Sequence, residues 1–291
     1  MPRRVLILAN PIAGGGRARA LAPALERELA SRGHAAEVRF TQRSGDAGAW
    51  AGRARREGFD ALAALGGDGT VNEIANGMLD LDVPVGVLPL GTANVLATEL
   101  RLPRRPEGLA DLVTADRRTR LAVARAGERR FLLFCGAGVD GAMAHRLART
   151  RTGTLGKHKW IGPAFSVLRD WPRLDLCASF PDGERIGGCS SILVTRVRNY
   201  GGLFRLTKDI DVRDGLLHVL CFRHESRTAY AGAALAALLG VLAPSRRLLV
   251  RSCRAVRVGG DGAPCQIDGE AGGTAPVDIG IEDGTLEVFA P

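Results

Sequence analysis

Aromatic residues are scarce, at 5% of 291, which excludes a single-strand nucleic-acid platform built on base stacking. Lysine is nearly missing: Lys157, Lys159 and Lys208 are three of 40 cations, and arginine supplies the rest. Beside abundant Ala and Gly, the formal charge of +9 reads either as broad compositional bias or as a signal for an anionic partner. In both cases it gives weak attraction to anionic lipid surfaces. The six cysteines (Cys135, Cys177, Cys189, Cys221, Cys253, Cys265) contain no C-x-x-C pair and no metal-ligand spacing. Buried reduced thiols and a cytoplasmic protein are expected. His34, His145, His158, His218 and His224 share no metal spacing, and no G-x-S-x-G elbow occurs, so hydrolase and metalloenzyme readings have no residues to work with. No apolar run reaches the roughly 18 residues that span a bilayer; the longest, Ala229 to Ala243, has the length of a buried helix. The N-terminal run is broken by Asn10-Pro11 and a glycine cluster, too soon for a secretory signal. A lipid substrate would have to be met at the membrane surface.

What is present is organised in two styles, divided softly near residue 120. Up to there, strand-like and helix-like stretches alternate. Val5 to Ala9, His34 to Phe40, Ala61 to Leu65 and Val83 to Leu88 read as strands, with helices after each. This order predicts an α/β domain with a parallel sheet, whose ligands collect at the carboxyl ends of strands. Three turns fall there: residues 10–16, 66–70 and 89–94. The most informative is Gly66-Gly67-Asp68-Gly69-Thr70, followed by Val71-Asn72-Glu73. Val71, Ile74, Ala75, Met78 and Leu79 share one helical face. Thr70 and Glu73 have capping-box spacing, which predicts a helix starting at Thr70. Glycines and the N–H groups of a first helical turn suit a phosphate, although the same run also fits an ordinary loop. Asp68 would repel phosphate unless a cation or a hydrogen-bond donor intervenes.

Beyond residue 120 the pattern predicts a mainly antiparallel β-sandwich. Its strands are Arg120 to Ala126, Arg129 to Cys135, Leu174 to Phe180, Ser190 to Val197, Leu216 to Phe222, Leu248 to Val258, Val277 to Ile281 and Thr285 to Phe289. One helix, about Arg227 to Leu242, interrupts them. Pro181-Asp182-Gly183-Glu184 and Glu282-Asp283-Gly284 are expected hairpin turns. The domains are therefore set at 1–120 and 121–291, with residues from about 280 returning to the first.

Gly136-Ala137-Gly138-Val139-Asp140-Gly141 matches G-x-G-x-x-G but is rejected as a nicotinamide or flavin site, because no acid lies between Asp140 and Asp170. It reads instead as a tight strand-to-helix turn presenting Asp140 into a cleft. A Walker A lysine is also missing. Asp209, Asp211 and Asp214 before Gly215 read either as a Mg²⁺ loop or as a solvated turn. Gln266-Ile267-Asp268-Gly269-Glu270 reads either as a site or as a hairpin loop.

Together these pieces resemble the diacylglycerol kinase catalytic-domain family of lipid kinases, particularly its bacterial members, related to sphingosine and ceramide kinases. The match runs in order through Asn10-Pro11-x-x-Gly14, Thr41, Gly66 to Glu73, Pro89-Leu90-Gly91-Thr92-Ala93-Asn94 and Gly136-x-Gly138-x-Asp140. It continues through Asn199-Tyr200-Gly201-Gly202, Asp214-Gly215-Leu216-Leu217 and Asp268-Gly269-Glu270. The resemblance implies a first domain like that of NAD kinases and phosphofructokinases, a β-sandwich second domain, and an active site in the cleft. By analogy ATP is held by Asn10, Pro11, Ile12, Ala13, Gly14, Thr41, Gly66, Gly67, Asp68, Gly69, Thr70, Val71, Asn72 and Thr92. Mg²⁺ is bound by the Asp214 carboxylate with the carbonyls of Asp211 and Leu216. Glu270 takes the proton of the lipid hydroxyl, with Asp140 and Asp268 in support.

The implied reaction moves the γ-phosphoryl group of ATP to a diacylglycerol-like or sphingoid lipid in phospholipid metabolism. The implied setting is a cytoplasmic protein, peripheral on the inner membrane face, that pairs as a homodimer and binds no nucleic acid. A soluble-substrate kinase such as an NAD kinase, or a nucleotide-binding membrane regulator without turnover, are the alternatives. The chain departs from the family at Val95, where Asp is common, at His218, where an acid is common, and at Leu203 to Lys208, where a run ending in Ala-Pro is usual. The basic stretch Arg146 to Trp160 reads either as a headgroup contact or as a solvated helix end.

Overall fold

A computed structural model of the chain describes residues 1–78, 80–150, 174–206, 209–223, 226–260 and 262–291. Leu79, Lys208 and the basic stretch 151–160 lie outside them. The chain divides into two compact units, Met1–Val123 with Asp283–Pro291, and Ala124–Glu282.

In the first unit, β1 (Arg4–Ala9), β2 (Ala35–Phe40), β3 (Ala61–Gly66) and β4 (Val85–Pro89) form a parallel sheet in the order β2-β1-β3-β4. The C-terminal part of β18 (Val277–Phe289) adds beside β4, pairing Val288 with Val85. β3 and β4 are buried along their whole length, as strands covered on both faces must be. Helix α1 (Ala18–Ser31) packs with α5 (Pro106–Thr114), and α2 (Asp46–Ala54) with α3 (Asp68–Gly77). The core on the α1 side joins Val5, Ile7, Leu25, Leu29, Leu65 and Phe289. Neighbouring strands β2 and β3 leave β1 on opposite sides, so the sheet has a topological switch point where turns from adjacent strands gather.

Two expectations fail in this unit. Helix α3 starts at Asp68, not Thr70, and its N-cap, Gly67, makes no side-chain capping bond. Thr70 instead packs back on Gly66, where an added Cβ would meet its Oγ1 at 2.2 Å, and Glu73 accepts a hydrogen bond from Ser44 Oγ at 3.0 Å. Glu282-Asp283-Gly284 is no hairpin turn either. β18 runs through it unbroken, with Glu282 tied down by Arg125 and Arg130. The chain passes between the units within this strand and within β5 (Arg118–Ala126).

The second unit is an antiparallel sandwich. One sheet has the order β14-β13-β10-β7-β16-β17, built from β14 (Leu248–Cys253), β13 (Leu217–Phe222), β10 (Ser191–Thr195), β7 (Phe134–Gly138), β16 (Pro264–Ile267) and β17 (Glu270–Thr274). The other runs from the N-terminal part of β18 through β15 (Ala255–Gly259) and β8 (Leu176–Ser179) to β9 (Arg185–Cys189). Pro181 to Glu184 does turn β8 into β9. Between the sheets lie Phe131, Leu176, Ile192, Val194, Val219 and Val256. The stretch Leu248 to Val258, expected as one strand, breaks at Arg254, where the chain leaves one sheet for the other, a corner that sandwiches make by bends. All six cysteines are free, four of them buried.

Three more features matter below. Arg129 to Cys135 splits into β6 (Arg129–Phe131) and β7. Helix α6 (Val139–Thr150) follows β7 and packs on β16. Helix α7 (Arg227–Leu238) stops earlier than the composition suggested.

Candidate functional site

In the first unit the turns after β1, β3 and β4 are held against one another by the backbone. Asn10 N–H donates to the Leu65 carbonyl at 3.0 Å, and Leu90 N–H to that of Gly66 at 2.8 Å. After β2, Thr41 N–H donates to the Ala9 carbonyl at 2.9 Å, which brings Thr41 beside the first turn. Asn10 Oδ1 accepts from Ile12 N–H at 3.2 Å, and Gly14, Gly15 and Gly16 follow at positive φ, a run that only glycine adopts easily. Gly67 and Gly91 touch backbone to backbone, and a Cβ on Gly91 would lie 2.5 Å from the Gly67 Cα. The Pro89 to Asn94 turn is closed by Asn94, whose side chain accepts from Gly91 N–H and donates to the Gly91 carbonyl, both at 2.8 Å. Asn10 to Gly14, Thr41, Gly66 to Asn72 and Thr92 are thereby gathered at the carboxyl ends of this sheet.

Asp68 resolves the question its sequence position raises. Its carboxylate accepts from Val95 N–H at 3.0 Å and Leu96 N–H at 3.2 Å, at the start of α4 (Val95–Glu99). The donors that shield it are therefore helix amides. Burial pushes its pKa up, against the pull of these backbone bonds. With the carboxylate turned onto α4, Gly69 stays exposed on the first turn of α3, and short glycine turns beside a helix N-terminus are chemically suited to phosphate.

In the second unit, Asp140 lies at the turn from β7 into α6 and is buried. Tyr200 O–H donates to one carboxylate oxygen, and Gln266 Nε2 to the other at 2.8 Å. Burial raises its pKa, with both hydrogen bonds opposing, and burial likewise raises that of Tyr200, with Asp140 adding to it. A side chain at Gly136 would collide with Asp140, its Cβ 1.7 Å from Oδ2, which explains the glycine before the acid. Gln266 Oε1 accepts from Gly269 N–H at 2.8 Å, so the Asp140 network reaches the turn between β16 and β17. Asp268, at φ 47°, accepts from the N–H groups of Leu132, Leu133 and Phe134, each at 3.0 Å. Those donors, diverted from the ladder, are why Arg129 to Cys135 splits into two strands. Glu270 follows with its side chain 45% exposed, receiving Arg129 Nη2 at 2.6 Å.

Asp211 and Asp214 lie in the loop before β13. Asp214 N–H donates to the Asp211 carbonyl at 3.0 Å, and its carboxylate accepts from Leu216 N–H at 2.8 Å and meets His218 Nε2 at 2.7 Å. Among the described residues no three His, Cys, Asp or Glu side chains are placed to hold a metal together. One carboxylate flanked by carbonyls fits Mg²⁺, which keeps several waters and takes its remaining oxygens from a substrate phosphate.

Sequence reasoning missed Arg196, the largest fully buried side chain among the described residues. Its Nη2 donates to the Val212 carbonyl at 2.9 Å and its Nη1 to that of Leu132 at 3.4 Å. One guanidinium thus joins the Asp211–Asp214 loop to the segment that holds Asp268. The signal available was a lone cation ending an apolar strand. Tyr200 and Gln266 lay inside quoted motifs without a role. Gln266 is buried in a turn otherwise readable as solvated.

This is the construction of a two-domain kinase: a glycine-turn α/β unit and a sandwich carrying clustered acids. A family model described as "Diacylglycerol kinase catalytic domain" matches residues 4–126, and one described as "YegS C-terminal NAD kinase beta sandwich-like domain" matches residues 134–290. The chain belongs to the diacylglycerol kinase catalytic-domain family. It is 24% identical over 295 residues to proteins named diacylglycerol kinase from Staphylococcus aureus strains MRSA252 and JH9, an overlap of 100% of this chain and 93% of each relative. Among solved structures, a diacylglycerol kinase from Bacillus anthracis str. Sterne aligns with TM-score 0.76 and 20% identity, covering 99% of this chain and 97% of that one. Another structure from that organism reaches 0.83 at 21% identity, covering 99% and 95%.

Proposed function

We propose that the chain transfers the γ-phosphoryl group of ATP to a hydroxyl of a diacylglycerol-like or sphingoid lipid. Family membership supports a kinase. The observation that selects its base is the unequal commitment of three acids. Asp140 is buried under Tyr200 and Gln266, and Asp268 is bound to three backbone N–H groups. Glu270 is the exposed carboxylate of the three. Glu270 takes the proton of the attacking hydroxyl, oriented by Arg129, while Asp268 and Gln266 fix its turn. A base so placed is worth about 10² to 10⁴ in rate. The turns of the first unit hold and orient the triphosphate, for which positioning is most of the catalysis. Asp214, with the Asp211 and Leu216 carbonyls, would hold Mg²⁺, which neutralises phosphate charge when bound.

The test incubates the protein with γ-labelled ATP and Mg²⁺, separately with diacylglycerol vesicles, sphingoid-base vesicles and NAD. Label in a lipid product that vanishes in Glu270→Gln supports the proposal. Label in NAD, or full activity in the variant, overturns it.

A further inference from the structure

From Ala229 onward helix α7 is apolar on every side, and its outer face is uncovered. No charged residue occurs between Thr228 and Ser245, and of its twelve residues only Ala237 is buried. Leu235 and Leu239 are 56% and 68% exposed, and Leu238 and Val241 stand beside them. The helix is nonetheless well terminated. Ser226 Oγ caps its start by accepting from Ala229 N–H at 3.3 Å. At its end Gly240 N–H donates to the Ala237 carbonyl at 3.1 Å and Val241 N–H to that of Ala236 at 2.9 Å, with Gly240 at φ 71°, the two bonds of a Schellman close. A helix apolar all round belongs in a core or a membrane. This one, about 18 Å long at 1.5 Å per residue, is too short to cross the roughly 30 Å of a bilayer core.

Charge around the helix selects the occupant. Arg227 opens it, Arg246 and Arg247 follow it, and Arg205 lies against Gly240 at its end. All four are exposed, and none forms an ion pair among the described residues. No Asp or Glu occurs from Ser226 to Gly260. A second copy packed symmetrically on this face would bring arginines against arginines. An anionic lipid surface offers the opposite sign, with apolar acyl chains between the headgroups.

We propose that α7, with Leu235, Leu239 and Val241 facing down and Arg227, Arg246 and Arg247 around them, is the surface that seats this protein on an anionic bilayer. The assignment rests on exposure and charge and is independent of the kinase reading, so its test reads binding without ATP. The full chain is mixed with phosphatidylcholine vesicles, with and without phosphatidylglycerol, and bound protein is measured by flotation. Binding to the anionic vesicles is expected, weakening as salt rises. Leu235→Ser with Leu239→Ser should weaken it at least about tenfold, and Arg246→Ser with Arg247→Ser about thirtyfold, at about fivefold per arginine, with unchanged thermal melting in both. In Leu239→Trp, brominated phosphatidylcholine should quench fluorescence beyond the wild-type level. Equal binding by the leucine variant, absence of such quenching, or a wild-type dimer that the leucine substitutions dissociate in sedimentation would each overturn the proposal.

Discussion

Removing the Asp68 carboxylate should first be felt in a different helix from its own. It satisfies the Val95 and Leu96 N–H groups at 3.0 and 3.2 Å, across 27 residues of chain, so Asp68→Ala strands two amides at the start of α4. Each stranded amide costs about 1–3 kcal/mol, and a lost cap typically costs about 1 kcal/mol. Against this stands the relief of no longer burying a charge, visible in the raised pKa. A net loss of about 2 kcal/mol is expected, or about 6–10 °C of melting temperature for a domain of this size. Asp68→Asn keeps an acceptor oxygen and should lose less than about 1 kcal/mol. The sign with pH follows from the same shift. Just above the ordinary value of 3.8 the folded form holds more protons than the unfolded one, so the contribution of Asp68 is greatest below pH 3.8 and declines as pH rises through the folded value. The stability of wild type relative to Asp68→Asn should therefore be higher near pH 4 than at pH 7. Calorimetric melts of the three proteins decide the matter, with KM for ATP followed in parallel. If Asp68→Ala melts like wild type, the carboxylate does not hold α4, and its role must be sought on the nucleotide itself.

Three further outcomes are expected. Arg196→Met should raise the Mg²⁺ concentration needed for half-maximal activity more than it raises KM for ATP, because the Val212 and Leu132 carbonyls lose their shared donor; titration of activity with Mg²⁺ reads this. Gly141→Ala places a Cβ 1.8 Å from the Pro264 carbonyl oxygen and should cost about 2–3 kcal/mol in urea unfolding, whereas Gly232→Ala, on α7 with nothing within 4 Å, should gain about 0.5–1 kcal/mol. His34 accepts from Arg3 N–H at Nδ1 (3.1 Å) while Nε2 meets Thr114 Oγ1 (3.1 Å), and burial, followed by the Arg3 charge, lowers its pKa; its contribution is complete above pH 6.5 and is lost as pH falls through the folded value, so stability measured from pH 8 to 5 should fall by up to about 1.4 kcal/mol per unit there, less so in His34→Gln.

The parallel sheet was legible because each of its strands is a short apolar run ended by a glycine turn, a local signal. Most of the failures come from partners far away in sequence. Glu282-Asp283-Gly284 has turn composition, yet Arg125 and Arg130 hold Glu282 in a strand that continues through it. Arg254 carries nothing that announces a change of sheet, since pairing on either side is decided by β13 and β18. Thr70 and Glu73 satisfy the spacing of a capping box, but Thr70 packs on Gly66 and Glu73 serves Ser44. The carboxylates of the candidate site were readable because acids beside glycines are conspicuous. Their supports were not, because Tyr200, Gln266 and Arg196 acquire a role only when β10, β16 and the Asp211–Asp214 loop meet.

Arg196 shows why such supports are tolerated in a core. Desolvation lowers its pKa to about 10, with the Asp214 and Asp268 charges opposing, so the guanidinium remains protonated at neutral pH. Its Nε finds no hydrogen-bond partner, and its two bonds go to carbonyls rather than to a carboxylate, an arrangement poorer than a bidentate ion pair. A well-packed apolar side chain would often be no less stable there. What the apolar replacement would lose is reach: a cation fully inside the fold lies within the field of both Asp214 and Asp268 and tethers the backbone beside each. Arg196 thus ties the loop proposed for the metal to the segment that holds Asp268, and phosphoryl transfer on the proposed reading would draw on such positioning.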